Sequence, residues 1–283
     1  MNNPGARTAW AFGAAVMAGG VVSGAAQAQG VDTPRDANGH PILQGMYTGG
    51  GFGAAAGAEE RIQTYQGRGN SYVGLEADGA VRRTSNDNLP PYKPQYWDQV
   101  TNNDYMGNWD DPVSVCYPLG IPRSGAPHAI WNVEGVDALI LVYGDGFNGY
   151  NGSYRGWDSY RWVPLADEHD PNYVAAETFM GAGRAHWEGD TLVIESVGFT
   201  DETWLHKNGW IHGFDMKVTE RLNRVGDNLV WSATVEDPEF FTGPWEMTPM
   251  LSPYRGTGEG WEFLGEGNPC LVREPYGSHV RSG

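Results

Sequence analysis

GRAHWEGDTLVIESVGF, residues 183–199, reads as two β-strands folded back on each other. Arg184 to Trp187 runs up, Glu188-Gly189-Asp190 turns, and Thr191 to Val197 runs down, rich in β-branched residues. A second unit of the same kind follows at 217–236, KVTERLNRVGDNLVWSATVE, turning at Val225-Gly226-Asp227-Asn228. Two long hairpins in succession predict a meander sheet. Both carry carboxylates inside otherwise apolar strands, and a buried carboxylate is costly unless paired or protonated.

Outward from these hairpins the pattern repeats. His128 to Glu134 and Ala138 to Tyr143 form a hairpin about Gly135-Val136-Asp137, and Ser159 to Pro164 is a further strand. Short strands are expected near Trp245 to Leu251, Trp261 to Leu264 and Pro269 to Arg273, and an apolar strand within Asp32 to Thr48. Eight to ten antiparallel strands at short spacing predict an all-β closed barrel of the lipocalin or calycin type; a two-sheet β-sandwich is the alternative. Barrels of about eight strands hold one small ligand. Residues 59–127 are polar, aromatic and punctuated by Pro90-Pro91 and Pro94, with at most one short helix near Gln95 to Asn103. The division is therefore a leader at 1–28, an N-terminal strand and wrapping arm at 29–127, and a barrel core with its tail at 128–283, the last two forming one domain.

Residues 1–28 have the composition of a cleaved export signal. Arg7 supplies the positive start, Ala9 to Val22 the apolar run, and Ala26-Gln27-Ala28 the small-x-small site, with cleavage after Ala28. The run is broken by glycines and no stop-transfer stretch follows, so stable membrane insertion is not expected. The product would be periplasmic or secreted. Across the chain 35 acidic residues outnumber 18 basic ones, a net charge of −17. Such acidity argues against nucleic acid and anionic membranes as partners, and serves solubility besides.

The two cysteines, Cys116 and Cys270, lie far apart. In an oxidising compartment two lone cysteines pair, closing a loop of roughly 150 residues worth about 4 to 5 kcal/mol by chain entropy. A reactive thiol or a metal ligand is the other reading, though neither cysteine sits in a compact Cys/His spacing. Gly49-x-Gly51-x-x-Ala54 matches a dinucleotide fingerprint only formally, since no βαβ pattern surrounds it, and no cofactor is expected.

Several segments resemble a family of exported bacterial β-rich proteins. Asn38 to Tyr47 is similar to its D-G-K-P-D-L-S-G-x-W segment, and Cys116 to Arg123 to its C-x-P-x-G-x-P-R. Gly183 to Phe199 is similar to G-R-W-E-G-D-T-L-V-V-E-T-x-G-F with Ala185-His186 inserted, His212 to Arg221 to H-S-x-x-L-x-V-x-E-R, and Asp237 to Trp245 to D-P-x-x-x-x-x-P-W. The resemblance implies a lipocalin-like fold, export and pairing of the cysteines, and carries no reaction with it. Tyr47 in place of Trp, the altered Ala185-His186 and a long tyrosine-rich loop at 144–156 depart from the pattern.

Strand alternation marks candidate chemistry. Glu220 shares a face with Phe214, Met216, Val218 and Leu222, and Glu195 shares one with Thr191, Val193 and Val197. Two carboxylates in one apolar cavity would have their pKa values pushed apart, giving an acid and a base. The structural alternative pairs each with an arginine such as Arg161, Arg184 or Arg221. The linking segment 200–215, TDETWLHKNGWIHGFD, brings His206 and His212 to the mouth. His212 is the candidate general acid or base, Asp215 its orienting carboxylate, and Arg161 the holder of an anionic group. Tyr143, Tyr154, Trp204, Trp210, Trp245 and His206 would grip a flat hydrophobic ligand, or else fill a core. His186, His206 and His212 with an acid could bind a metal, but their spacing fits no compact motif and none is expected. No G-x-S-x-G elbow occurs.

Together these features predict a cofactor-independent lyase or isomerase acting on a small aromatic or polycyclic compound. A periplasmic carrier of the same ligand class is the second reading and a structural envelope protein the third. Oligomeric state is left open by the sequence.

Overall fold

A computed structural model describes residues 33–47, 72–75, 81–83, 89–106, 110–115, 117–143, 159–206, 209–247 and 249–257. The cysteines, the leader, Tyr154 and the expected strands beyond Thr257 lie outside the described residues.

The strands are β1 (Gly45–Tyr47), β2 (Tyr72–Leu75), β3 (Val81–Arg83), β4 (Ala129–Asn132), β5 (Ala138–Tyr143), β6 (Ser159–Pro164), β7 (Ala182–Glu188), β8 (Thr191–Val197), β9 (Lys217–Val225), β10 (Asn228–Glu236), β11 (Trp245–Glu246) and β12 (Met250–Gly256). The main sheet runs β6-β5-β4-β1-β12-β10-β9-β8-β7, with β11 beside β10, while β2 and β3 pair separately. It wraps into a nearly closed barrel with one unsealed seam, so the expected closure is incomplete. Beyond the strands, Trp97–Met106 forms the helix expected near that position.

The two long hairpins form because period-two sequence meets glycine at the turns. Gly189 and Gly226 take φ of 60° and 58°, which L-residues adopt only under strain. β9 and β10 pair over nine residues each, from Asn228–Val225 to Glu236–Lys217, and every second side chain is buried. β1 is an integral strand between β4 and β12. The segment preceding it braces one end of the barrel. There Arg35 pairs with Asp190 at 2.7 Å, the His40 ring stacks on Trp187 at 4.4 Å, and the Gly226 amide donates to the Thr33 hydroxyl.

The seam has a topological cause. Nine strands joined by antiparallel pairs place β6 and β7 at the two ends running the same way, so no antiparallel ladder can join them. One parallel bridge, Leu165 to Ala185, links them, with the Ala166 amide donating to the Ala185 carbonyl at 3.1 Å. Inside the barrel the gap is crossed by a side chain: Arg161 of β6 reaches Ser196 of β8 and Glu220 of β9. Gly183 of β7 must be bare for this, because a Cβ there would lie 3.0 Å from an Arg161 Nη atom and 3.3 Å from the Ser196 hydroxyl.

Candidate functional site

Two polar clusters lie at the end of the barrel where β5, β8 and β10 finish and β6, β7 and β9 begin. The first is inside. Arg161 Nη1 donates to Glu220 and, at 3.1 Å, to the Tyr143 hydroxyl, while Nη2 donates to Ser196 Oγ at 2.5 Å. The Trp231 indole N–H donates to the other Glu220 oxygen at 3.1 Å. The Arg161 and Glu220 side chains are 1% and 0% exposed, so charge is matched to charge out of reach of water. Burial pushes the Tyr143 hydroxyl well above its ordinary range, so it stays protonated.

This arrangement corrects two expectations. Arg161 does not reach for a ligand anion; its guanidinium is committed to Glu220, Ser196 and Tyr143. Nor do Glu195 and Glu220 share a cavity. Glu220 pairs across the ladder with Ile194, whereas Glu195 pairs with Thr219 one residue on, and one step along a strand reverses the face. Glu195 therefore points outward, ion-paired with Arg184 and with Lys217 at 3.4 Å.

The second cluster surrounds His212. Its Nδ1 lies 3.2 Å from the Gly213 carbonyl and its Nε2 lies 2.8 Å from Thr203 Oγ1. A carbonyl can only accept, so in the neutral ring Nδ1 carries the proton, Nε2 offers its lone pair, and the Thr203 hydroxyl donates to it. Burial lowers the His212 pKa against the opposing pull of the Gly213 carbonyl, Asp237 and Asp201, so the imidazole is neutral near pH 7. Asp215 is exposed in the turn after Phe214 and is not the orienting carboxylate. The buried acid nearby is Asp237, which holds the backbone beside the ring by accepting from the amides of Gly213 at 2.7 Å and of Glu239 and Phe240 at 3.1 Å. The Phe199 ring meets the imidazole edge-on at 6.4 Å, and a Cβ on Gly120 would lie 3.1 Å from the Thr203 hydroxyl. Thr203 and Asp237 were not among the sequence candidates. Only the meeting of segments near 120, 200, 212 and 237 reveals them.

The expected ligand-gripping aromatics are largely committed to packing. His206 lies against Trp210 with ring centres 4.7 Å apart, and Trp210 meets Trp245 edge-on at 5.5 Å. All three are buried, as is Trp204. His186 stands on the outer face of β7, 3.3 Å from Glu188, apart from His206 and His212. Among the described residues no three His, Cys, Asp or Glu side chains converge to hold a metal ion. No helix among them is long and apolar enough to cross a membrane. Comparison of the chain with protein-family models, with curated proteins and with solved structures returned no match.

The buried histidine has a thermodynamic signature. Because the His212 pKa is lower folded than unfolded, the unfolded chain binds the proton more readily. Stability is therefore full above about pH 6.5 and falls below it, by up to about 1.4 kcal/mol per pH unit, until the folded pKa is reached. His128 and His169 are shifted the same way, each mainly by burial. Urea midpoints measured from neutral to mildly acidic pH should drop, and His212→Gln should drop less steeply. Parallel slopes for the two proteins would exclude a neutral His212.

Proposed function

We propose that the protein is an exported acid–base enzyme of the lyase or isomerase type, acting on a small aromatic or polycyclic hydrophobic compound. The neutral imidazole of His212 is its base. What carries this reading is an imidazole whose Nε2 is the basic nitrogen, met by Thr203 and Phe199, with Gly120 against Thr203 and Asp237 on the neighbouring Gly213 amide, so that segments near 120, 200, 212 and 237 come together there. Because the barrel interior is taken up by Trp231, Leu192, Ile194, Leu222 and the Arg161–Glu220 pair, the ligand belongs at the barrel end and not midway along it. Chemically, Nε2 would remove a carbon-bound proton once the Thr203 hydroxyl turns aside. Returning it to a second carbon completes an isomerisation. Loss of a leaving group with its bonding electrons, leaving a double bond, completes an elimination.

Incubating the full chain in D2O with a hydrophobic metabolite extract, followed by mass spectrometry, tests this. One compound should gain deuterium or be consumed, and His212→Gln should slow that change by about 10² to 10⁴. An extract left unaltered by the wild type, or altered equally by the variant, ends the proposal. A carrier is the second reading, favoured because both Glu195 and Glu220 are tied to arginines; it predicts a compound retained unchanged.

A further inference from the structure

The hydroxyl oxygen of Thr203 lies 2.8 Å from His212 Nε2. With Thr203 where it stands, the first proton within reach of that nitrogen is the hydroxyl's own. A hydroxyl within about 2.6 to 3.2 Å of a base that is itself held by a third group has the geometry of an activated nucleophile. The third group here is the Gly213 carbonyl, 3.2 Å from Nδ1, which fixes the ring with Nε2 toward Thr203. Asp237, bound to the Gly213 amide at 2.7 Å, favours the charged ring once Nε2 takes a proton.

Thr203 also meets bare backbone. A Cβ on Gly120 would lie 3.1 Å from the hydroxyl oxygen and 3.4 Å from the Thr203 Cβ, so the loop passes directly against the nucleophile. Neither the Gly120 amide nor the Ile121 amide has an acceptor among the described residues, although both residues are buried. Unpaired amides beside a nucleophile can hold the negative oxygen that forms when a carbonyl is attacked. Phe179, whose carbonyl also lies against Gly120, leans its ring on exposed Tyr117 at 5.3 Å. Aromatic surface suited to an apolar acyl chain therefore adjoins the hydroxyl.

We propose that Thr203 is a nucleophile activated by His212, and that the pair hydrolyses esters of small apolar acids. It rests on the His212 base of the reading above and goes beyond it, since no carbon acid is needed. Oγ1 bonds to the ester carbonyl carbon as Nε2 takes its proton, and the carbonyl electron pair moves onto oxygen. As that pair returns, the bond to the alcohol oxygen breaks. The alcohol leaves with the proton from Nε2, and Thr203 is acylated. Water, losing its proton to the same nitrogen, then releases the acid and restores the hydroxyl.

Incubating the full chain with p-nitrophenyl butyrate, quenching, and mapping peptides by mass spectrometry should find one butyryl group on Thr203. Thr203→Ser should acylate at that position and Thr203→Val should not, both with wild-type circular dichroism. His212→Gln should acylate more slowly by about 10²-fold or more. No adduct on Thr203 of the wild type overturns the proposal, as does acylation of His212→Gln at the wild-type rate. Deuterium exchange into a metabolite by a wild type that takes no acyl group overturns the nucleophile and keeps the proton-transfer reading. An adduct at Thr203 without any exchange does the reverse.

Discussion

Glu220→Ala is expected to destabilise the protein by about 3 to 5 kcal/mol, because it strands the Arg161 charge in the barrel interior. The Trp231 indole N–H loses its acceptor at the same time. Arg161→Met should cost a similar amount by the mirror argument, with the hydroxyls of Ser196 and Tyr143 left to find new partners. The double variant Arg161→Met with Glu220→Leu removes both charges and should cost clearly less than the two single changes together, since apolar replacement of a buried pair is often close to neutral. Urea unfolding of the four proteins measures the coupling. Hydrogen exchange should localise it: protection falls first in β6 and β7, where one bridge and this side chain close the seam. Single variants within about 1 kcal/mol of wild type, or additive ones, would mean that the pair does not close the barrel.

The hairpins were legible because their information is local. Alternation, β-branched residues and a glycine at each turn all point one way over 183–199 and 217–236, and the ladders follow them. The inward face of β9, with Glu220 on it, could be read for the same reason. β8 misled. Leu192, Val193 and Ile194 are all apolar and all buried, so alternation there does not say which face is inside, and Glu195 was placed beside Glu220. Only pairing resolves it, and pairing is not local. The partner of Glu220 is 59 residues away across the seam, in a strand whose own alternation, Tyr160, Arg161, Trp162, does show arginine inside and aromatics outside. His212 was legible as an imidazole in a linking segment. Its true companions, Thr203 and Asp237, were not, since exposed Asp215 stands nearer in sequence and the buried acid is 25 residues beyond His212.

Asp111→Ala tests whether the His212 cluster depends on the loop that begins at Gly120, against Thr203. Residues 120–127 are all buried, an unusual state for a connection, because buried loop backbone must find partners inside the protein. Ser124 supplies some, its amide and hydroxyl both donating to the Gly120 carbonyl. The strongest tether is the fork of Arg123 on Asp111, at 2.9 and 2.5 Å, with both side chains buried. Gly120 sits against Thr203 at the start of that loop, with φ +72°, and a Cβ there would lie 2.9 Å from the Phe179 carbonyl. Losing the carboxylate should cost about 3 to 5 kcal/mol, as at Glu220, but the damage should spread differently. Exchange is expected to rise in 117–127 and 200–213 while the seam strands stay protected, and the acid-side loss of stability should flatten as water reaches His212 and its pKa returns toward the ordinary value. Asp111→Asn keeps the shape and loses the charge, and should fall between the two. If Asp111→Ala unfolds more easily yet keeps the wild-type pH slope and protection over 200–213, the loop is a brace for the fold alone, and the environment of His212 is set by Thr203, Phe199 and Asp237 without it.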